Sequence, residues 1–150
     1  MPRSPTTRAS LLSSAEAAEA AFYDAFQQGD VEAMMQVWAE DEEPVCIHPG
    51  GPRLVGAAAI RAGFGELFAS GGVRIVAERV LRNATLGSAV HNVVERVRVD
   101  SGNADEEFAL VLATNVYLKT PDGWRLVLHH ASPATVHEAA EVLAGADRLH

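Results

Sequence analysis

Trp38 to Gly56 reads Trp-Ala-Glu-Asp-Glu-Glu-Pro-Val-Cys-Ile-His-Pro-Gly-Gly-Pro-Arg-Leu-Val-Gly. The stretch separates two kinds of sequence. Ala-rich helical patterns precede it; one more helix and then β-rich sequence follow. It starts on the last apolar residue of a helix, crosses an acidic turn and enters a short apolar strand, Val45-Cys46-Ile47. That strand delivers His48 into a Pro-Gly-Gly-Pro turn. A residue before proline is pushed to extended geometry, so His48 ends the strand. An imidazole at a strand end beside a rigid turn is either a site residue or a half-exposed surface histidine.

Upstream, Ser13-Ser14-Ala15-Glu16 marks a helix start as a capping box. Ala18, Phe22, Ala25 and Phe26 recur on one face of that helix. Gly29 ends it in the left-handed conformation, and Asp30 caps the next helix. Val31, Met34, Met35 and Trp38 form the apolar stripe of the second helix, where the methionines read as core filling. Downstream, Gly56 to Phe68 reads as a third helix with Ile60, Phe64, Leu67 and Phe68 buried. Gly63 and Gly65 let it pack closely on a neighbour.

Ser70-Gly71-Gly72 then breaks the chain. Val73 to Leu81 is expected as a strand, with a turn around Asn83. Ala89 to Asp100 alternates clearly: His91, Val93, Glu95, Val97 and Val99 share one face, and Val90, Asn92, Val94, Arg96 and Arg98 the other. Asp100-Ser101-Gly102-Asn103 is turn chemistry. Phe108 to Lys119 is a strand apolar on both faces; Thr120-Pro121-Asp122-Gly123 is a second turn. Trp124 to Ala131 is the last strand, ending in His129-His130. The tail from 136 to 150 is helical.

Helices followed by a meander of strands argue an α+β domain with an antiparallel sheet. Residues 1–12 read as a loose tail and 13–135 as the domain. A chain of 150 residues is most simply one domain, large enough to bury about 70% of its unfolded surface. Its 48% apolar content contains no uninterrupted run near 18 residues, which argues against a membrane span. A net charge of −8 and the lack of a basic patch argue against nucleic acid. The single Cys46 excludes an internal disulfide framework and suits the cytoplasm. No long apolar segment resembling a signal peptide opens the chain. Because the strand 108–118 is apolar on both faces, a twin subunit is expected on the outer face of the sheet.

Taken together, Phe22…Gly29-Asp30…Met34…Trp38-Ala39-Glu40-Asp41, then His48-Pro49…Gly56…Ile60, then Asn115-Val116-Tyr117…Gly123-Trp124-Arg125-Leu126…His130-Ala131-Ser132 resembles the nuclear transport factor 2-like superfamily, nearest its SnoaL-like and ketosteroid-isomerase-like branch. The resemblance covers about residues 14 to 133. The Gly-Asp between helices and the Gly-Trp-Arg before the last strand are its more specific marks. It implies a cystatin-like α+β roll: a cone-shaped curved antiparallel sheet wrapped around the three N-terminal helices, with a pocket between them. It also implies a homodimer through the outer sheet face. The superfamily holds isomerases, dehydratases, hydrolases, cyclases and members with no catalysis, so fold alone does not choose among them.

Ketosteroid isomerases use a carboxylate base and an oxyanion hole of a tyrosine and a protonated aspartate. Their base position falls on His48, their tyrosine on Phe22, and their aspartate near Asn115. A possible base is retained, that tyrosine is missing, and an amide replaces the acid. This departs from the steroid isomerisation mechanism.

On the residues themselves, a neutral His48 could abstract a proton near pH 7, because an unperturbed imidazole has a pKa near ~6.5. Asn115 could donate to a developing oxyanion. Tyr117 shares its face with Asn115. His91 and Glu95 interrupt an apolar face, as pocket lining or as a buried pair. His129 and His130 point to opposite faces, and His130 is taken as the inner one, with Trp124, Leu126 and Leu128. Phe22, Trp38, Phe64, His91, Glu95, Tyr117 and His130 are thus the expected pocket lining. Cys46 reads as buried rather than nucleophilic. No ligand spacing supports a metal, and no phosphate loop or serine-hydrolase elbow is present, so no cofactor is expected. Two readings stay open: an enzyme of isomerase, dehydratase or cyclase type binding a small hydrophobic molecule, and a non-catalytic ligand-binding or assembly domain.

Overall fold

A computed structural model describes residues 12–99 and 107–148. The turn expected at 100–103 lies outside the described residues. In chain order the described elements are α1 (Ala15–Gln28), α2 (Val31–Val37), β1 (Val45–Ile47), β2 (Arg53–Val55), α3 (Ala57–Leu67), β3 (Ile75–Ala84), β4 (Ser88–Val99), β5 (Glu107–Thr120), β6 (Gly123–Pro133) and α4 (Val136–Arg148).

The helical layer is set by local chemistry. Ser14 Oγ accepts from the Ala17 N–H at 3.0 Å and caps α1. Gly29, at φ 64°, closes the helix in the left-handed region, and its N–H reaches the carbonyls of Ala25 and Phe26. Asp30 Oδ1 accepts from the Ala33 N–H at 3.0 Å and starts α2. In α3 Ile60 and Phe64 are fully buried, and Gly63 allows contact with Leu54: a Cβ there would meet Leu54 Cδ1 at 2.6 Å. Gly65, by contrast, has no neighbour within 4 Å of such a Cβ.

The six strands form one sheet in the order β2-β1-β6-β5-β4-β3. The antiparallel meander is present from β3 to β6, and β1 adds a parallel pair beside β6. Strand β2, folding Arg53–Val55 back on Val45–Ile47, was not foreseen, because three residues are too short for a periodicity signal. The first hairpin also closes later than expected. The turn is at Thr85-Leu86-Gly87, where Thr85 Oγ1 accepts from the N–H groups of Gly87 and Ser88. Asn83 itself pairs with Val90 within the ladder.

Two bulges bend the sheet. Between Glu78 and Leu81, β3 carries one residue more than β4 opposite, with Arg79 at φ 50°. Between Leu126 and Leu128, β6 carries Val127 as an extra residue, because Val116 pairs with Leu128 and Tyr117 with Leu126. An extra residue bends a strand and increases its twist. Helices α1 to α3 pack on the inner face, around a core that includes Phe22, Phe26, Met34, Trp38, Ile60 and Phe64. Leu12, at the start of the described residues, is buried too, and its carbonyl accepts from the Trp124 N–H at 2.8 Å. Among the described residues no helix is long and apolar enough to cross a membrane.

Candidate functional site

Strand register places the site. One transverse row crosses the sheet through Arg82 on β3, His91 on β4, Asn115 on β5, His129 on β6, Cys46 on β1 and Leu54 on β2. Each step is a strand spacing, about 4.8 Å. His91, Asn115, His129 and Cys46 are all at most 1% exposed. Helix α1 covers the row with two polar side chains one turn apart, Glu19 and Tyr23, both buried.

Three hydrogen bonds run in series through this layer. His129 Nδ1 lies 2.6 Å from Asn115 Oδ1, Asn115 Nδ2 donates to the Tyr23 hydroxyl at 2.9 Å, and Tyr23 donates to Glu95 Oε2 at 2.7 Å. The Asn115 oxygen can only accept, so His129 carries its proton on Nδ1 and presents Nε2 as a lone pair. Burial pushes the His129 pKa down to about 3, with the neighbouring His48 and His130 adding to the effect, so this imidazole is neutral. Burial raises the Glu95 carboxyl to about 7 against the opposing hydrogen bond from Tyr23. Burial, then the Glu95 charge, also pushes the Tyr23 phenol far up, so it remains a donor.

His48 is half-buried beside the row, two residues beyond Cys46. Its ring meets Phe64 at 5.0 Å, His129 at 5.9 Å and Phe26 at 6.4 Å. Desolvation lowers its pKa, which keeps it neutral and basic at pH 7. The Cys46 thiol is 3.6 Å from His48 Nε2, and burial pushes that thiol up to about 12. Cys46 is therefore a protonated core residue. His48 and Asn115, paired by expectation, make no direct hydrogen bond; His129 adjoins both.

A second polar group occupies the β3–β4 side. His91 Nδ1 is 2.5 Å from Glu19 Oε2, and Arg82 Nη2 donates to Glu19 Oε1 at 3.0 Å. His91 and Glu95, read as lining or as a mutual pair, are thus tied to different partners on α1. The expected aromatic residues Phe22, Trp38, Phe64 and Tyr117 are all fully buried. Phe22 and Trp38, and Trp38 and Phe64, pack with ring centroids 6.3 Å apart. Trp38 also lines a cleft of about 310 Å³ between α2 and α3, with Met35, Ala57 and Arg61.

One placement is corrected. His130 is exposed and His129 is the inner residue. The cause is the bulge at Val127: Leu126 faces in, the extra residue resets the alternation, and His129 and Ala131 face in after it. Sequence reasoning also passed over Tyr23 and Glu19. Both lie on the stripe Ala15, Glu19, Phe22, Tyr23, Phe26, and a carboxylate on such a stripe was the available signal.

Three helices under a bent, open sheet, with a polar row buried between the layers, define a nuclear transport factor 2-like α+β protein, the fold also described as cystatin-like. Residues 15–136 match the model of the SnoaL-like domain. The chain belongs to that family. A solved structure from Thiobacillus denitrificans, a candidate calcium/calmodulin-dependent protein kinase type II association domain, is 39% identical with TM-score 0.74, covering 83% of this chain and 98% of that one. A candidate dehydratase of the NTF2-like family from Streptomyces avermitilis is 28% identical with TM-score 0.71, covering 89% and 100%. A ketosteroid isomerase-like protein from Erwinia carotovora atroseptica, at 19% identity and TM-score 0.65 over 83% and 97%, shares the fold. No curated protein matches the chain.

Proposed function

We propose that this SnoaL-like protein binds a small hydrophobic molecule against His48 and the Phe26–Phe64 wall, and that His48 moves a proton within it. The reaction class is isomerisation, dehydration or cyclisation. The observation that carries the reading is a half-buried imidazole, kept neutral by desolvation, beside a directional buried chain from His129 to Glu95. A neutral imidazole takes up a proton near pH 7. His129 and Asn115 hold the adjoining dipoles fixed, and a carboxyl with a pKa of about 7 can take or release a proton at the far end. The Streptomyces neighbour, a candidate dehydratase, agrees with this class.

The test is a screen of small carbonyl and hydroxy compounds for turnover, followed by His48→Ala. Removal of a general base should lower the rate by about 10²–10⁴-fold. Unchanged turnover in a folded variant would remove His48 from the mechanism.

A second, compatible role is self-association. The outer sheet face exposes Phe108 (45%), Val90 (39%) and Val76 (52%), and the 39% identical neighbour is described as a candidate association domain. A second copy covering that face would make the protein a homodimer. Sedimentation at micromolar concentration should give the dimer mass; a monomer would refute it.

A further inference from the structure

His91 and Tyr117 meet on the inner face of β4 and β5 with ring centroids 4.9 Å apart, and both are fully buried. Each carries a polar atom with no hydrogen-bond partner: His91 Nε2 and the Tyr117 hydroxyl. The Asn115 amide is near enough to pull on the Tyr117 phenol, but its hydrogen bond is directed to Tyr23. Buried polar atoms are rarely left unpaired, because each has given up water without a replacement. Two of them sit on adjoining buried rings, and one oxygen atom reaching both would pair them.

Their chemistry selects the kind of oxygen. A carboxylate only accepts, so the contact with Glu19 puts the His91 proton on Nδ1 and leaves Nε2 as an acceptor. Tyr117 keeps a proton to donate. An oxygen held by both must donate to Nε2 and accept from Tyr117. A hydroxyl does both; a ketone, ester or carboxylate cannot donate.

We propose that His91 and Tyr117 form a hydroxyl-binding position and that the small hydrophobic molecule it takes is an alcohol. The proposal rests on the reading that the interior of this protein accepts such a molecule. Glu19 positions His91 by fixing its tautomer, as a carboxylate does for an imidazole base.

The test uses the full chain with three probes of one shape: cyclohexanol, cyclohexanone and cyclohexane. Binding is followed by nitrogen NMR of labelled histidines. Cyclohexanol should bind saturably, shift His91 Nε2 and bind about ten-fold tighter than either of the others. Tyr117→Phe should remove that preference; should the variant not fold, the comparison of probes on the unaltered protein decides alone. Equal binding of the three leaves a ligand pocket without a hydroxyl position and overturns this proposal only. So does binding with no shift at His91, the result expected if the two atoms share a structural water. Preference for cyclohexanone overturns the assignment of Nε2 as acceptor. Failure of all three to bind overturns both this proposal and the reading it rests on.

Discussion

Acidification from pH 6.5 to 3 should remove about 5 kcal/mol of folding stability through His129 alone. His129 is fully buried, and its pKa falls from the ordinary 6.5 to about 3 in the folded chain. The gap is multiplied by about 1.4 kcal/mol per pH unit. The sign follows from which state binds the proton. Below pH 6.5 the unfolded chain protonates this imidazole and the folded chain does not. The contribution is therefore full above pH 6.5 and is lost as pH falls toward 3. Glu95 acts in the opposite direction. Its folded pKa is raised from 4.5 to about 7, so its contribution is present below 4.5 and lost as pH rises toward 7. Between pH 4.5 and 6.5 the two slopes oppose each other, and below 4.5 the loss from His129 stands uncompensated. Denaturant titrations of the parent and His129→Gln across this range measure the difference. The stability gap between the two proteins should change by several kcal/mol as pH falls. Parallel curves would mean that His129 is protonated or solvated in the folded state.

Replacing Gly72 by Ala should destabilise the fold by about 3 kcal/mol or more. Gly72 follows the break after α3, where the chain runs against the end of α1. A Cβ on it would lie 1.9 Å from the Gln27 carbonyl oxygen and 2.7 Å from the Gln27 carbonyl carbon. Both are backbone atoms at the end of a capped helix. They cannot swing aside as a side chain can. Gly29 faces the same contact from the other side: its Cβ would meet Gly72 N at 2.7 Å, and its φ of 64° disfavours any side chain. The adjoining bond from the Val73 N–H to the Phe26 carbonyl, 2.8 Å, fixes the approach. Gly65→Ala is the matched control. Nothing lies within 4 Å of its Cβ, and it sits inside α3, so the same change should stabilise by up to ~1 kcal/mol. Thermal or denaturant unfolding compares the two. A Gly72→Ala protein as stable as the parent would refute the close packing of α1 on this loop.

Much of this architecture was legible because it depends on short-range chemistry. Ser14, Gly29 and Asp30 cap helices through bonds to residues three or four positions away, and those residue types announce themselves. The alternation of β4 put His91, Val93 and Glu95 on one face without any tertiary information. His48 could be placed at a strand end because proline constrains its predecessor. The packing role of Gly72, by contrast, was read only as a chain break, because the helix end it touches is distant in sequence.

The site divides in the same way. Sequence alone marked His91 and Glu95 as polar interruptions of an apolar strand face and named His48, Asn115 and Tyr117 as candidates. Only the tertiary structure decided their partners. The bulge at Val127 is one extra residue in β6 with no residue type that marks it, yet it turns His129 inward and His130 outward. Register across four strands then lines up His91, Asn115, His129 and Cys46, although they come from positions 46 to 129 of the chain. The tyrosine of the buried chain is supplied by Tyr23, one residue beyond the Phe22 that the family resemblance indicated. A helical step of one residue rotates a side chain by about 100°, so the choice between Phe22 and Tyr23 depends on how α1 rolls against the sheet. Packing decides that roll, and packing is a property of the whole fold.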